Sequence, residues 1–296
     1  MLTLRSDCLE ARLIPEVGGC LLSLDHMEGM RRQPVLLAPS VEAAQSGQTA
    51  QSAHFLMLPW VNRIPGNRLL CEGDAIAIQP NTPEPLALHG IGWQRPWSVV
   101  DTAADRCTLQ VESPPDYPIP FRASQELRLE GSSLLISVTL ENSGNHRIPA
   151  GVGFHPYFPR DAQTRLAFEA DWFWLEGPGH MPTDAIRVPP ELDFREGRLL
   201  PERWRANCYS GWHGPAVIDQ PTFGYRVVMT ASEGLDDLMF YTPPDESFWA
   251  LEPQSHTTAQ VDTRKSEPAA QPMRRLGPGE ALRAWMQIEV VGLYST

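Results

Sequence analysis

The sequence predicts an all-β protein built as one large antiparallel β-sandwich. Three observations support this fold class. Period-two alternation of apolar and polar residues recurs along the chain, helical periodicity is hard to find, and most of the 29 prolines and 22 glycines fall between the alternating runs, where turns form. Two smaller sandwiches or a barrel are the alternatives. Because strands of the same type continue across every loop-rich stretch, we expect residues 1–296 to form a single domain.

The alternating runs begin near the N-terminus with CLLSLDH (20–26) and DAIAIQ (74–79). The clearest one is SQELRLEGSSLLISVTLENSG (124–144), in which two alternating halves flank EGSS. This pattern predicts an antiparallel hairpin with one solvent-facing side. Further strand candidates are RCTLQVES, TRLAFEADWFWL, GYRVVMTAS, DLMFYTP, SFWALEP and EALRAWMQIEVVG.

Two polar stretches interrupt the strands. PSVEAAQSGQTAQSAH (39–54) predicts a long surface loop or a short helix, and TRKSEPAAQPMRRLGPGE (263–280) predicts a loop before the last strand.

The composition of the chain limits the kinds of molecule that it can bind. Hydrophobic residues make up 42% and charged residues 20% of the 296, which is typical of a folded globular protein. The net charge of -12 argues against nucleic acid as a partner. The N-terminus lacks a signal peptide pattern and no apolar run approaches the ~20 residues that span a bilayer, so we expect a cytoplasmic protein with no membrane partner. Five scattered cysteines without a C-x-x-C pair fit reduced thiols.

Four stretches place polar or ionisable side chains among aromatic and turn residues. Each has an ordinary structural interpretation when taken alone: a capping arginine, a histidine that closes a turn, or a histidine satisfied in the core. The stretches are LPWVNRIPGNRL with Asn62 and Arg63, LALHGIGW with His89 and Trp93, GFHPYF with His155, and FWALEPQSHTTAQVD with Glu252 and His256.

Glu252 and His155 are the strongest candidates for catalysis. Period-two geometry places Phe248, Ala250 and Glu252 on one strand face, where a carboxylate is costly to bury unless it is paired or used. Both candidates precede a proline, which holds the backbone extended. A carboxylate and a histidine also suit proton transfer near neutral pH. We therefore predict an acid/base pair.

Other chemistries fit less well. The sequence lacks an H-E-x-x-H zinc pattern, a G-x-S-x-G nucleophile elbow, a phosphate-binding P-loop and a dinucleotide-binding G-x-G-x-x-G. A zinc or iron site formed by His89, His155 and Glu252 is the alternative to the acid/base pair. We predict that no metal is bound.

The ordered set of motifs resembles the aldose 1-epimerase family, the galactose mutarotase-like proteins. The motifs are Asn-Arg-Ile with Pro-Gly, Leu-His-Gly with a following aromatic residue, Gly-Phe-His-Pro-Tyr-Phe, and Leu-Glu-Pro-Gln, between residues 62 and about 262. The resemblance implies a supersandwich fold. It also implies a cofactor-independent isomerase that interconverts the α and β anomers of a free sugar by opening and closing the ring.

The resemblance also implies roles for individual residues. Glu252 would take the proton of the anomeric hydroxyl and His155 would protonate the ring oxygen. His89 would bind the sugar near the anomeric centre, and Arg63 would hold sugar hydroxyls. Asn62 suits hydroxyls as well, and the rings of Trp93, Tyr157 or Trp212 could stack on the sugar or simply pack in the core.

One departure from the family pattern bears on the substrate. Many members carry an aspartate that binds sugar hydroxyls just before a Gly-Trp segment, whereas RANCYSGWHG has Ala206 and Asn207 there. Either Asn207 substitutes for the aspartate or the sugar specificity differs from that for galactose and glucose.

Three alternative functions stay open. A sugar-binding or sensor domain would keep the pocket without turnover, and a lyase or isomerase on the same sandwich would abstract a carbon-bound proton. A mutarotase of phosphorylated hexoses would need an arginine cluster at the pocket mouth, for which Arg122, Arg160 and Arg264 are candidates. The sequence also leaves open whether the chain forms a homodimer.

Overall fold

The computed structural model describes residues 1–257 and 273–293. In chain order, its strands are β1 Leu2–Arg5, β2 Leu9–Ile14, β3 Cys20–Glu28, β4 Arg31–Leu37, β5 His54–Met57, β6 Arg68–Cys71, β7 Asp74–Ala77, β8 Ser98–Thr102, β9 Arg106–Glu112, β10 Phe121–Glu130, β11 Ser133–Asn142, β12 Ile148–Ala150, β13 Gly153–Pro159, β14 Arg165–Glu169, β15 Trp172–Glu176, β16 Pro182–Arg187, β17 Arg198–Leu199, β18 Arg205–Ser210, β19 His213–Gln220, β20 Tyr225–Ala231, β21 Asp237–Thr242, β22 Phe248–Gln254, β23 Arg274–Leu276 and β24 Ala281–Gly292.

Helical structure is short. The α-helix α1 spans Val41–Gln45 and begins at Ser40, whose side chain accepts a hydrogen bond from the Ala43 N–H. Single 3₁₀ turns lie at Thr49–Gln51, Pro65–Asn67, Gly92–Gln94, Pro178–His180, Pro190–Leu192 and Pro221–Phe223. None of these described helices is long and apolar enough to cross a membrane.

Two large antiparallel sheets form the molecule. The eleven-stranded sheet has the order β1-β2-β3-β5-β13-β22-β21-β18-β15-β16, with β4 paired to β3. The nine-stranded sheet has the order β17-β14-β19-β20-β24-β11-β10-β9-β8, and two small sheets pair β12 with β23 and β6 with β7. One cluster of buried apolar residues draws on both large sheets, with Phe154 from the first and Ile136 from the second. The predicted all-β antiparallel sandwich is confirmed.

The hairpin predicted at 124–144 is present as β10 and β11. Leu127 faces Ile136 across the pair, and the strands join through Gly131 and Ser132. Burial alternates along both strands because one side faces the core and the other faces solvent. Other predicted strands are found as β3, β9, β20, β21, β22 and β24.

Several local predictions need correction. TRLAFEADWFWL is not one strand, because the chain leaves the nine-stranded sheet after β14 and enters the eleven-stranded sheet at β15. Residues 39–54 contain both the loop and the short helix, but His54 already begins β5. In DAIAIQ only Asp74–Ala77 form a strand, which belongs to a small sheet. Of the loop predicted at 263–280, residues 263–272 lie outside the described chain and Arg274–Leu276 form β23.

Candidate active site

Strands β13 and β22 lie side by side near the middle of the eleven-stranded sheet. Their ladder pairs Gly153 with Gln254 and, four residues further along, Tyr157 with Ala250. This register places residue 155 opposite residue 252. Pro156 and Pro253 lie within their strands rather than at the ends, and neither has an N–H to donate to the ladder. Both candidate catalytic residues therefore stand on extended backbone at a point where the pairing is interrupted.

His155 and Glu252 meet at this point. The distance from His155 Nε2 to Glu252 Oε1 is 3.2 Å, and the two residues are only 6% and 2% exposed. The imidazole is held between two rings, with its centroid 4.5 Å from that of Phe55 and 4.6 Å from that of Tyr157. This packing leaves the imidazole little rotational freedom and directs Nε2 at the carboxylate.

Burial shifts the pKa of both groups toward their uncharged forms. It raises the pKa of Glu252 well above its ordinary value and lowers the pKa of His155 to about 3. Burial thus favours the arrangement in which a proton shared by the pair is on Glu252 and His155 is neutral. Within the described residues, Glu252 Oε2 has no hydrogen-bond partner, which leaves a buried oxygen ready to accept a proton or a hydrogen bond.

A turn built on left-handed backbone brings His89 to the same place. Asn62, His89 and Gly90 have φ angles of 54°, 58° and 66°. The Asn62 N–H donates to His89 Nδ1 at 3.1 Å, and the His89 N–H donates to the Asn62 carbonyl at 2.9 Å. Since Nδ1 is an acceptor here, the proton of neutral His89 resides on Nε2, which makes that nitrogen a donor. Burial and the neighbouring His155 lower the pKa of His89 well below its usual value, so the ring is neutral.

Gln254 ties this turn to the sheet. Asn62 Nδ2 donates to Gln254 Oε1 at 3.0 Å, and Gln254 Nε2 donates to Cys208 Sγ at 3.3 Å. All three side chains are buried. The amide chain therefore fixes the turn relative to β22, two residues beyond Glu252.

A cleft of about 340 Å³ opens over the pair. Its lining includes Arg63, Glu84, His89, His155, Trp204 and Glu252. The volume and the mixture of aromatic and polar side chains suit a small organic molecule. At the mouth, Trp204 is 40% exposed and meets the Tyr241 ring edge-on, with centroids 5.2 Å apart.

Arg63 and Glu84 form a two-point ion pair in this lining. Arg63 Nε donates to Glu84 Oε2 at 2.7 Å and Nη2 donates to Oε1 at 2.9 Å. The segments that carry the two residues run side by side, with a bridge between Arg63 and Leu88. The cleft thus presents a guanidinium and a carboxylate next to each other.

The structure brings most of the sequence-predicted site residues into one cleft: Asn62, Arg63, His89, Trp93, His155 and Glu252. Of the other two rings considered for stacking, Tyr157 also lines the cleft, whereas Trp212 is buried outside it. Asn207 lies in a small adjoining cavity and donates to the Trp174 carbonyl at 3.1 Å. Ala206 lines both spaces, so the position expected to carry an aspartate presents only a methyl group.

Three residues of the site were not found from the sequence. Gln254 belongs to the Leu-Glu-Pro-Gln motif, whose glutamine could have been assigned a role. Glu84 and Trp204 stand in proline-rich and charged loop segments without a recognisable pattern. Their participation depends on loop placement, which periodicity does not report.

The other predicted arginines lie elsewhere. Arg122 pairs with Glu112 in the nine-stranded sheet at 2.7 Å, and Arg160 donates to the Pro201 and Pro243 carbonyls beside a separate groove. Arg264 lies outside the described residues. Within the part of the chain that the structure describes, no group of three or more histidine, cysteine or acidic side chains is arranged to hold a metal ion.

Comparisons with known proteins agree with this architecture. The family model described as Aldose 1-epimerase matches residues 1–289. The Escherichia coli K12 protein YphB, described as uncharacterized, is 32% identical over 255 residues, covering 83% of this chain and 86% of its own. A crystal structure from Escherichia coli K12 is 28% identical with a TM-score of 0.89 over 98% of both chains.

A galactose mutarotase-like protein from Clostridium acetobutylicum is 17% identical, with a TM-score of 0.85 over 98% of this chain and 94% of its own. That likeness supports the fold, and the family model spans nearly the whole sequence. The chain belongs to the aldose 1-epimerase family.

Proposed function

We propose that the protein is a cofactor-independent mutarotase that interconverts the α and β anomers of a free aldose. The observation that carries this proposal is the buried His155–Glu252 pair, 3.2 Å apart below a cleft of small-molecule size. When the two groups share one proton, they offer one basic and one acidic atom side by side. Ring opening needs one proton removed and one supplied.

The chemistry uses this proton as follows. The proton first moves from Glu252 to His155 across the Nε2–Oε1 contact. The ionised Glu252 then takes the proton of the anomeric hydroxyl while His155 gives its proton to the ring oxygen. The bond between the anomeric carbon and the ring oxygen breaks, and an open-chain aldehyde forms. Rotation about the adjacent carbon–carbon bond followed by the reverse transfers gives the other anomer.

Burial favours the protonation states that the pair has after the sugar ring has opened. After ring opening Glu252 is protonated and His155 is neutral, which is the uncharged arrangement that burial favours. Ring closure by the reverse transfers leaves Glu252 ionised and His155 protonated again, so the next ring opening can follow directly. The pair therefore works in both directions without an external acid or base.

Other groups of the cleft support the binding of a sugar. His89 Nε2 is a neutral donor, Arg63 and Glu84 offer a donor and an acceptor, and aromatic rings such as Trp93 suit apolar C–H faces.

The test follows the optical rotation of freshly dissolved α-glucose, α-galactose and other aldoses with the wild type, Glu252→Gln and His155→Asn. We expect acceleration by the wild type and at least a roughly 100-fold loss in each variant. Glu169→Gln is the matched control, because Glu169 also faces a histidine, His213, at 3.6 Å but on the exposed surface. Undiminished exchange in both site variants would overturn the mechanism.

Two other outcomes would point to the alternatives. Saturable sugar binding without acceleration would favour a binding or sensor domain, for which Ala206 in place of the expected aspartate is the motivating observation. Incorporation of deuterium at a carbon of the sugar would favour a lyase or isomerase, because mutarotation exchanges no carbon-bound proton.

A further inference from the structure

The Arg63–Glu84 pair is the feature of the cleft that the proposed proton transfer leaves unused. Two parallel N–H···O bonds fix the carboxylate against the guanidinium, and the Thr82 hydroxyl accepts the Glu84 N–H at 3.2 Å. The Arg63 side chain is 18% exposed and that of Glu84 44% exposed. The pair therefore lies at the edge of the cleft, where an incoming molecule meets it before the buried catalytic pair.

The charges around the cleft favour an uncharged ligand. Among the described lining residues, Arg63 is the one with a permanent positive charge, and Glu84 neutralises it. His89 and His155 are neutral near pH 7, because burial lowers the pKa of both. An anionic group entering the cleft would meet the carboxylate of Glu84 without an unpaired guanidinium to receive it.

Arg122 and Arg160 do not change this balance. Arg122 lies in the nine-stranded sheet with its own partner, Glu112, and the Arg160 guanidinium donates to backbone carbonyls beside a different groove. The described part of the cleft thus lacks the arginine cluster that a phosphorylated sugar requires.

An uncharged sugar, in contrast, can use both members of the pair. The ion pair occupies Nε and Nη2 of Arg63, and Nη1 remains on the same guanidinium as a third donor group. Glu84 brings carboxylate oxygens, which accept hydrogen bonds from hydroxyl groups. Ala206, at the position where the family pattern has an aspartate, also lines the cleft, and Glu84 brings a carboxylate to the same lining from a different segment of the chain.

We propose that Glu84 is a specificity-determining residue. Paired with Arg63, it accepts hydroxyls of an uncharged aldose and excludes sugars that carry a phosphate or carboxylate group. This inference rests on the proposed mutarotase function and narrows its substrate class.

The test measures kcat/KM for anomer exchange with glucose, glucose 6-phosphate and glucuronate, in the wild type and in Glu84→Gln. We expect the wild type to prefer glucose over both anions. In Glu84→Gln, which loses one repulsive charge and keeps Arg63, the ratio of glucose to each anion should fall by about tenfold, and raised salt should shrink this change. Glu112→Gln is the matched control, since it removes an equal charge from an arginine pair outside the cleft. Its ratio should stay within about twofold of wild type.

Wild-type turnover of the anionic sugars equal to that of glucose would overturn the inference and leave the mutarotase proposal intact. So would an unchanged ratio in Glu84→Gln. If the wild type accelerates exchange of none of these sugars, the proposed function fails. In that case, calorimetric titration with the same three sugars tests the inference through binding affinity. Tighter binding of glucose than of the two anions by the wild type, with a smaller difference in Glu84→Gln, supports it. Equal affinity of the wild type for all three sugars overturns it.

Discussion

Two strand pairs, one in each sheet, bury their residues in opposite ways. In β10 and β11 of the nine-stranded sheet, burial alternates residue by residue along the length of both strands. In β13 of the eleven-stranded sheet all seven residues are buried, and β22 has one partly exposed residue followed by six buried ones. The first pair covers the core with one face, whereas the second has core on one face and the cleft on the other.

The two sheets also differ in which ionisable side chains they bury. Among the described residues, the buried acidic and histidine side chains belong to the eleven-stranded sheet or the segment just after it, and they include His54, His155, Asp237, Glu252 and His256. Buried polar residues of the nine-stranded sheet, such as Gln125 and Gln220, are uncharged. One sheet contributes packing, and the other also holds ionisable groups away from water, which costs stability and allows function.

Two glycines, one in the turn of the active site and one in the β10–β11 turn, should give the largest difference in stability. An added Cβ at Gly90 would lie 1.9 Å from the Leu58 carbonyl oxygen, and at Gly131, in the β10–β11 turn, it would meet nothing within 4 Å. Both residues have positive φ. We expect Gly90→Ala to lower the free energy of unfolding by more than about 4 kcal/mol and Gly131→Ala by about 1 kcal/mol. Urea denaturation measures both, and equal losses would contradict the comparison.

A second contrast separates stability from activity. Ile136 is fully buried in β11, so Ile136→Ala should cost about 3 kcal/mol of unfolding free energy and leave the kcat of anomer exchange within about twofold. Glu252→Gln should abolish activity and match or exceed wild-type stability at pH 7, because a neutral amide replaces a carboxyl group whose pKa burial raises. Thermal unfolding and polarimetry on both variants check this. A less stable Glu252→Gln would show that the carboxyl group stabilises the fold.

The pH dependence of stability should come from the eleven-stranded sheet and its turn. Burial lowers the pKa of His54, His155 and His256 to about 3 and that of His89 well below 6.5. The unfolded chain therefore binds protons below pH 6.5 that the folded protein does not, and stability falls as the pH falls. Asp237, with its pKa raised to about 8, acts in the opposite sense from about pH 4 to 8, and the raised pKa of Glu252 acts in the same direction as that of Asp237.

These effects balance between about pH 6.5 and 7, where we expect maximum stability, with a loss of roughly 2 kcal/mol between pH 6.5 and 5.5. Denaturant titrations at each pH measure it. Within the described residues neither ring nitrogen of His54 has a hydrogen-bond partner, so His54→Phe tests the cause. This variant should lose about 1 kcal/mol less over the same interval. If His54→Phe loses as much stability as the wild type over this interval, the protons are taken up by other groups.

Two exposed tryptophans give the smallest expected effect. Trp204 at the mouth of the cleft is 40% exposed, and Trp285 in β24 of the nine-stranded sheet is 37% exposed. If the Trp204 ring contacts the sugar, Trp204→Ala raises KM by about threefold to tenfold with kcat nearly unchanged. Trp285→Ala should change neither. Equal KM values in the two variants would show that Trp204 does not contact the sugar.

The sequence predicts the two regions unequally well. Alternation identifies β10 and β11 because half of their residues face water. It fails in TRLAFEADWFWL, where the chain changes sheet at residues 170–171 without a proline or glycine to mark the crossing. In β13 all seven residues are buried, so no alternation marks the strand and only the ordered motifs point to His155.

Prediction of the site succeeds for residues that stand in motifs and fails for residues that stand in loops. His155, Glu252, His89 and Arg63 stand in recognisable motifs, and the fold brings them together. Glu84 reaches Arg63 through the path of a loop 21 residues further along the chain, and Trp204 reaches the mouth from the segment before β18. Such contacts depend on tertiary placement of loops, which local sequence patterns do not contain.

The shared register of β13 and β22 makes the site sensitive to changes in chain length. His155 faces Glu252 because pairing holds on both sides of the prolines, at Gly153 with Gln254 and at Tyr157 with Ala250. A one-residue insertion or deletion between these anchors would turn one of the two side chains to the opposite face of the sheet. Substitutions can therefore vary the rest of the cleft, whereas the segments 153–157 and 250–254 must keep their length for acid and base to meet.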